Sequence, residues 1–120
     1  LKYIDFGTHI NEDCDYKYYI NQAISSKRDG VCDFIFGFCR TGQGVNMCAN
    51  KFNDVRGALI FDEYTAEMSL RHNCANFFSF PARLFDTEGK VQRIIEILNT
   101  NTFDGGRHQL RIQDLKNETV

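Results

Sequence analysis

The sequence lacks the features that would place it across a membrane or on nucleic acid. It has no tryptophan, one proline and no apolar run near the length of about 20 residues that a membrane-spanning helix needs. The first residues, Leu1 to Asp5, lack the apolar core of a signal peptide. The formal net charge is −2, which gives no broad basic surface. We therefore expect no nucleic-acid partner.

What the sequence does contain is typical of one folded domain. Its 120 residues are enough to bury a single core, and 42% of them are hydrophobic while 25% are charged. No repeat, low-complexity tract or linker divides the chain. We expect a single domain covering residues 1–120.

Cysteine is frequent for a cytosolic protein, which favours an extracellular chain with two disulfides and one odd thiol. The cysteines are Cys14, Cys32, Cys39, Cys48 and Cys74. Their separations do not match the paired ligands of a zinc site. The triplet beginning at Asn117 is an N-glycosylation sequon, which agrees with secretion.

Short alternating or aromatic runs, broken by Gly, Asn, Asp and Ser, predict an all-β sandwich. We expect Val31 to Arg40 to be a central strand, because apolar side chains fall on both of its faces. The glycines of Asp104-Gly105-Gly106 suit a hairpin turn. The predicted strands are Lys2 to Ile10, Tyr16 to Ile24, Val31 to Arg40, Ala58 to Phe61, Ala66 to Leu70, Phe77 to Phe80, Val91 to Leu98 and His108 to Leu115.

One of these segments also fits a helix. Val91, Ile94, Ile95 and Leu98 lie at helical spacing, with Asp86 or Thr87 upstream as a possible N-cap. The β-branched residues within the segment favour a strand instead. The residues alone leave both structures open.

The run Cys32-Asp33-Phe34-Ile35-Phe36-Gly37-Phe38-Cys39 resembles the Cys-Asp-x-x-Phe-x-x-Cys strand of Delta and Jagged proteins, the ligands of Notch receptors. Phe80-Pro81, followed by Phe85, Gly89, Val91 and Ile94-Ile95-Glu96, is similar to that family's aromatic-proline segment and Ile-Ile-Glu strand. The sequence departs from the family at Thr87-Glu88-Gly89, where a Trp-Pro-Gly is usual, and it lacks the cysteine-rich and EGF-like modules that follow.

The resemblance implies an all-β, C2-like antiparallel β-sandwich of about eight strands, with Val91 to Leu98 as a strand. It implies disulfides between Cys39 and Cys48 and between Cys14 and Cys32, leaving Cys74 odd. It also implies binding to the EGF-like repeats of a Notch-type receptor, and association with phospholipid surfaces, sometimes with calcium. The implied receptor-facing segment is Phe80-Pro81-Ala82-Arg83-Leu84-Phe85, and the candidate calcium ligands are Glu12, Asp13 and Asp15.

Catalysis has little support from the residues themselves. Cys74 could pair with His9, His72 or His108 as a nucleophile and base, but no orienting third group is apparent. Thr41-Gly42-Gln43-Gly44 is interpreted as a turn, because it lacks the Gly-Lys-Ser/Thr that completes a phosphate loop. We therefore predict a binding domain without enzymatic activity and without a required cofactor. The alternative to a receptor-binding domain is a secreted lectin-like or lipid-binding sandwich.

Overall fold

Helices and strands alternate along the chain, in contrast to the expected all-β architecture. The computed structural model describes residues 2–115, in which five helices surround a three-stranded sheet. In chain order the elements are α1 (Tyr16–Arg28), β1 (Ile35–Cys39), α2 (Gln43–Ala49), β2 (Gly57–Leu59), α3 (Glu63–Arg71), β3 (Phe77–Pro81), α4 (Glu88–Thr100) and α5 (Arg107–Leu115).

The sheet is parallel throughout, with strand order β1-β3-β2. Ile35 pairs with Phe77 at the start of β1, and Cys39 pairs with Pro81 at its end. Every residue of β3 is buried, as expected for a strand with neighbours on both sides and helices over both faces. The central strand is therefore Phe77–Pro81, and the prediction that Val31 to Arg40 is central is wrong.

The helices form one layer on each face of the sheet. Ile20 and Ile24 of α1 and Val45 and Ala49 of α2 pack with Phe77 on the first face. On the second face, apolar residues of α3 and α4 pack around Phe78 and Phe80; they are Ala66, Leu70, Ile94, Ile97 and Leu98. From β1 the chain crosses over the position of β3 to reach β2, and it then returns by one strand to form β3 between them. Right-handed crossovers then place α2 and α3 on opposite faces.

Polar residues define where two of the helices begin. The Asp15 carboxylate accepts a hydrogen bond of 3.0 Å from the Lys17 amide, which caps α1. At α3, the Asp62 carboxylate accepts from the Thr65 amide at 2.7 Å, and the Thr65 hydroxyl accepts from the Asp62 amide at 3.2 Å. This reciprocal pair is a capping box, which satisfies two backbone donors that the first turn leaves free.

Four of the predicted strands are helices or parts of helices. Tyr16 to Ile24 lies in α1, Ala66 to Leu70 in α3, Val91 to Leu98 in α4 and His108 to Leu115 in α5. The buried face of α4 is formed by Ile94, Ile97 and Leu98, which lie at helical spacing. In this segment the spacing of apolar residues predicted the structure correctly, whereas the β-branched residues did not. Lys2 to Ile10 forms no strand, and Gly105 and Gly106 precede α5 instead of turning a hairpin.

The expected disulfide framework is absent, because Cys14, Cys32, Cys39, Cys48 and Cys74 are all free thiols in the structure. Cys32, Cys39 and Cys48 instead pack at the margin of the core beneath α1 and α2. The predicted disulfides between Cys39 and Cys48 and between Cys14 and Cys32 are therefore not formed in the structure. Within residues 2–115, no helix is long and apolar enough to cross a membrane.

Candidate functional site

The carboxyl ends of β1 and β3 lie side by side at one edge of the sheet. The chain leaves β1 toward α2 on one face, and it leaves β3 toward α4 on the other. Adjacent parallel strands whose connections diverge in this way open a crevice, which is where α/β proteins bind their ligands. The Ala82 amide donates to the Cys39 carbonyl at 2.9 Å, so the two strand ends are held together at its base.

The segment Thr41-Gly42-Gln43-Gly44 leads from the end of β1 into the first turn of α2, which begins at Gln43. Gly42 has a φ of 74°, and a Cβ at this position would lie 2.9 Å from both the Phe80 carbonyl carbon and the Pro81 nitrogen. Gly44 is similarly crowded, with its Cβ position 2.7 Å from the Tyr16 hydroxyl. Gly42 thus lets the backbone lie directly against the end of β3, and Gly44 leaves room for the Tyr16 side chain of α1.

The Cys39 thiol makes no side-chain hydrogen bond within the described residues, whereas three carboxylates near this edge each have a partner. Asp62 caps α3, while Glu63 bonds Arg93 and Asp86 bonds Lys90. Lys90 holds the pKa of the Asp86 carboxyl below its usual value. Cys39 ends β1 as a partly exposed free thiol.

Two exposed arginines flank Cys39. Arg40 follows it directly, and Arg83 lies in the turn after β3. Within residues 2–115, neither guanidinium is in an ion pair with a carboxylate. Unpaired guanidinium groups are suited to binding an anion such as phosphate.

A second group of polar side chains lies at the opposite edge, where the strands begin. The imidazoles of His72 and His108 stack with ring centroids 4.1 Å apart, and Asp104 lies 3.7 Å from His72. Arg71 donates to both oxygens of Asp104 and lowers the pKa of that carboxyl. Partial burial, followed by the charges of His72 and Arg107, lowers the pKa of His108.

Comparison with known proteins identifies the family to which this chain belongs. Residues 1–115 match the family described as ribose/galactose isomerase. The chain belongs to that family. It is 32% identical over 113 residues to ribose-5-phosphate isomerase B of Escherichia coli, an alignment covering 94% of this chain and 75% of the relative.

Solved structures of other members share the fold. Ribose-5-phosphate isomerase B of Clostridium thermocellum superposes with a TM-score of 0.86 at 33% identity, covering 95% of this chain and 76% of that one. The Mycoplasma genitalium enzyme, solved with bound ribulose-5-phosphate, gives a TM-score of 0.83 at 31% identity, covering 95% and 76%.

Membership of an isomerase family corrects the functional predictions. The resemblance to Delta and Jagged proteins is wrong, as are the C2-like sandwich and the Notch-type receptor as partner. The lectin-like or lipid-binding alternative is wrong for the same reason, and so is the prediction that the chain is not an enzyme. The extracellular location stays a prediction, although the free thiols and the family remove the arguments from disulfides and from the resemblance to Notch ligands.

The residues nominated from the sequence are dispersed in the structure. Of the segment Phe80 to Phe85, Phe80 and Pro81 are buried in β3 whereas Arg83 and Leu84 are exposed. Asp15 caps α1, and the described residues place no cluster of three metal-ligating groups at Glu12, Asp13 and Asp15. Cys74 packs beside Arg56, and Asn117 lies outside the described residues.

Sequence reasoning missed Cys39 and the loop that follows it. Cys39 was interpreted as half of a disulfide, and Thr41 to Gly44 as a simple turn. The available indication was the order of features: an apolar strand, a Cys, two closely spaced glycines and then an amphipathic segment. A strand, glycine-rich loop and helix in succession predict a ligand site in an α/β protein even without a complete phosphate-loop motif.

Proposed function

We propose that this protein is a sugar-phosphate isomerase that interconverts ribose 5-phosphate and ribulose 5-phosphate. The observation that carries the proposal is the free thiol of Cys39 at the end of β1, beside a glycine-rich loop and in the crevice between β1 and β3. The names of its relatives supply the substrate class, since they are ribose-5-phosphate isomerases B or sugar phosphate isomerases.

The reaction requires a base and a stabilised oxyanion. A proton is removed from C2 of the open-chain aldose and the electron pair forms an enediolate. A proton is returned to C1, and the hydroxyl proton moves from O2 to O1 to give the ketose. The substrate is oxidised at C2 and reduced at C1, so the step needs no external electron donor or acceptor. The Cys39 thiolate is suited to remove the proton and return it as the thiol. The loop amides of residues 41–44 are suited to hydrogen-bond the enediolate oxygen.

The exposed arginines can bind the phosphate group of the substrate. The phosphate of a pentose 5-phosphate carries about two negative charges and is attached through C5, at the opposite end of the sugar from C1 and C2, where the reaction takes place. Arg83 lies in the turn after β3, next to the strand end that pairs with Cys39. A guanidinium there can bind the phosphate bidentately and fix the sugar along the crevice.

Substitution of the thiol tests the proposal most directly. We expect purified wild-type protein to convert ribose 5-phosphate to ribulose 5-phosphate, followed by NMR. In D₂O the product acquires deuterium at C1. Cys39→Ala removes the base and lowers kcat by about 10²- to 10⁴-fold. Cys14→Ala is the control, because Cys14 is also a free and exposed thiol.

Arg83→Gln separates binding from proton transfer. It raises KM for the phosphorylated sugar more than it changes kcat, because the guanidinium binds the part of the substrate that does not react. A wild-type protein that is folded but inactive on aldose phosphates would contradict the proposal. Equal activity of Cys39→Ala and Cys14→Ala would keep isomerisation but refute the role of Cys39.

A further inference from the structure

A hollow of about 290 Å³ lies between the first turn of α1 and the outer side of α2. Tyr16 and Lys17 border it from α1. Met47 and Cys48 border it from α2, and Lys51 follows shortly after that helix ends. The volume is at the lower end of the range for ligand pockets, which begins at about 300 Å³. The hollow therefore has room for one small molecule.

The rim of the hollow is positively charged. Within residues 2–115, the ammonium groups of Lys17 and Lys51 form no ion pair, and the lysine that does is Lys90. One carboxylate, that of Asp15, borders the hollow and accepts a hydrogen bond of 3.0 Å from the Lys17 amide. Two ammonium groups and one carboxylate leave one net positive charge, which favours an anionic ligand.

The remaining surface of the hollow is largely apolar. Met47 is 69% exposed and Tyr16 is 44% exposed, so both present apolar surface to solvent. Burial, followed by the charge of Asp15, raises the pKa of the Cys48 thiol. The group that borders the hollow is therefore the protonated thiol, which behaves as a small hydrophobic group. A ligand with an apolar body would remove these surfaces from water.

Tyr16 adds a hydroxyl group to the charged rim. Its oxygen lies 2.7 Å from the position that a Cβ on Gly44 would occupy, so the hydroxyl is held against the backbone of this glycine. A tyrosine hydroxyl can donate a hydrogen bond to an anionic oxygen. Two ammonium groups and one hydroxyl thus offer donors from both helices to the oxygens of a phosphate group.

We propose that this hollow binds a small organic phosphate with an apolar body. Lys17, Lys51 and the Tyr16 hydroxyl hold the phosphate, and the apolar body packs on Met47 and Cys48. The arginine assigned to the phosphate of the sugar substrate does not border the hollow. The site is therefore separate from the crevice between β1 and β3, and binding there does not depend on the proposed isomerase activity.

Titration followed by amide NMR locates the site. Phenyl phosphate is added to the wild-type protein without any sugar substrate, and we expect saturable shifts in residues 15–17 and 44–51. Inorganic phosphate should bind the same residues at least about tenfold more weakly, because it has no apolar body to bury. Added salt should weaken both ligands, since the lysines are exposed to solvent.

Lysine variants test the contact with the phosphate. Lys17→Gln and Lys51→Gln should each weaken the binding of phenyl phosphate by about two- to fivefold, which is the range of exposed ion pairs, and the double variant by more. Lys27→Gln is the matched control, because Lys27 lies in the last turn of α1, at the other end of the helix. Met47→Ser should weaken phenyl phosphate while leaving inorganic phosphate unchanged.

Alkylation of the thiols gives a second measurement on the wild-type protein. Bound phenyl phosphate should slow the reaction of Cys48 with iodoacetamide, as followed by peptide mass spectrometry. Cys74 serves as the internal control, because it packs beside Arg56 and does not border the hollow. Equal alkylation of Cys48 with and without the ligand would contradict the proposal.

Arg83→Gln distinguishes the hollow from the crevice. If the shifts centre on residues 39–42 and 82–84 and disappear in Arg83→Gln, the phosphate binds at the strand ends and the proposal is overturned, while the isomerase proposal stands. Equal affinity of Lys17→Gln, Lys51→Gln and Lys27→Gln would also overturn it. Saturable shifts in residues 15–17 and 44–51 of a protein that isomerises no sugar phosphate would support the hollow and refute only the isomerase activity.

Discussion

Replacing Gly42 by alanine tests the description of the crevice quantitatively. Gly42 has a φ of 74°, and its missing Cβ would lie 2.9 Å from two backbone atoms at the end of β3 and 2.7 Å from Leu59 Cδ1. Gly30 offers a matched comparison, since its φ is 76° but no atom lies within 4 Å of the corresponding position. Both substitutions place alanine in a left-handed backbone conformation, but only Gly42→Ala also brings the new Cβ into contact with neighbouring atoms.

The expected costs follow from these two contributions. A left-handed conformation costs a non-glycine residue about 1–2 kcal/mol, of which about 0.4–1 kcal/mol is offset by the lower entropy of the unfolded chain. Gly30→Ala should therefore lower the free energy of unfolding by about 1 kcal/mol. Gly42→Ala adds about 1–3 kcal/mol of overpacking, because the β3 backbone cannot yield as a flexible side chain would.

Urea unfolding measures the difference. For a domain of this size the slope is about 1–3 kcal/mol per molar, so a further 2 kcal/mol lowers the midpoint by roughly 1 M. We also expect Gly42→Ala to reduce isomerase activity in protein that is still folded, because the loop amides move away from β3. Equal midpoints for the two variants would refute the close approach of the loop to the strand.

Three further predictions concern the supporting structure. Asp62→Ala removes the capping box of α3 and should cost about 1 kcal/mol in urea unfolding; an unchanged midpoint would contradict the cap. Arg28 lowers the pKa of Asp54 to about 2, so the pair stabilises the fold above the unfolded pKa near 3.8, and this contribution is lost as pH falls toward 2. Both side chains are about half exposed, so the effect is at most about 1 kcal/mol, and the pH dependence of unfolding between 5 and 2 should weaken in Asp54→Asn. Phe78→Ala should cost about 3–5 kcal/mol by calorimetry, whereas Leu84→Ala, at an exposed position, should stay within about 0.5 kcal/mol.

The strands could be located from the sequence, but their arrangement could not. Apolar runs at Val31 to Arg40, Ala58 to Phe61 and Phe77 to Phe80 were predicted as strands and overlap β1, β2 and β3. Each run has apolar residues on both faces, which is typical of a parallel sheet covered by helices. That pattern was assigned to a sandwich because the intervening helices had been interpreted as strands.

The helices were missed where two periodicities coincide. Tyr16, Tyr18 and Ile20 alternate as in a strand, yet the side chains buried in α1 are Ile20 and Ile24 at helical spacing. The exposed tyrosines carried the misleading pattern, since aromatic residues favour strands in general. Asp15, which caps the helix, was considered only as a calcium ligand.

The candidate site depends on strand order, which local sequence does not contain. Cys39 and Arg83 are over 40 residues apart, and they become neighbours because β1 pairs with β3. Nothing in either segment specifies that pairing. Arg83 was predicted to contact a receptor only because the resemblance to Delta and Jagged proteins implied it, and that prediction did not indicate an anion site.

The position of β3 also constrains the order in which the protein can fold. Within residues 2–115, β1 and β2 do not pair with each other, and each pairs only with β3, the last of the three strands in the sequence. During synthesis from the amino terminus, β1 and β2 have no partner strand until residues 77–81 have left the ribosome. Their apolar edges are open to other chains in that interval. Helices α1 and α2 pack on each other and on β1, so they can cover the apolar face of β1 before β3 is available.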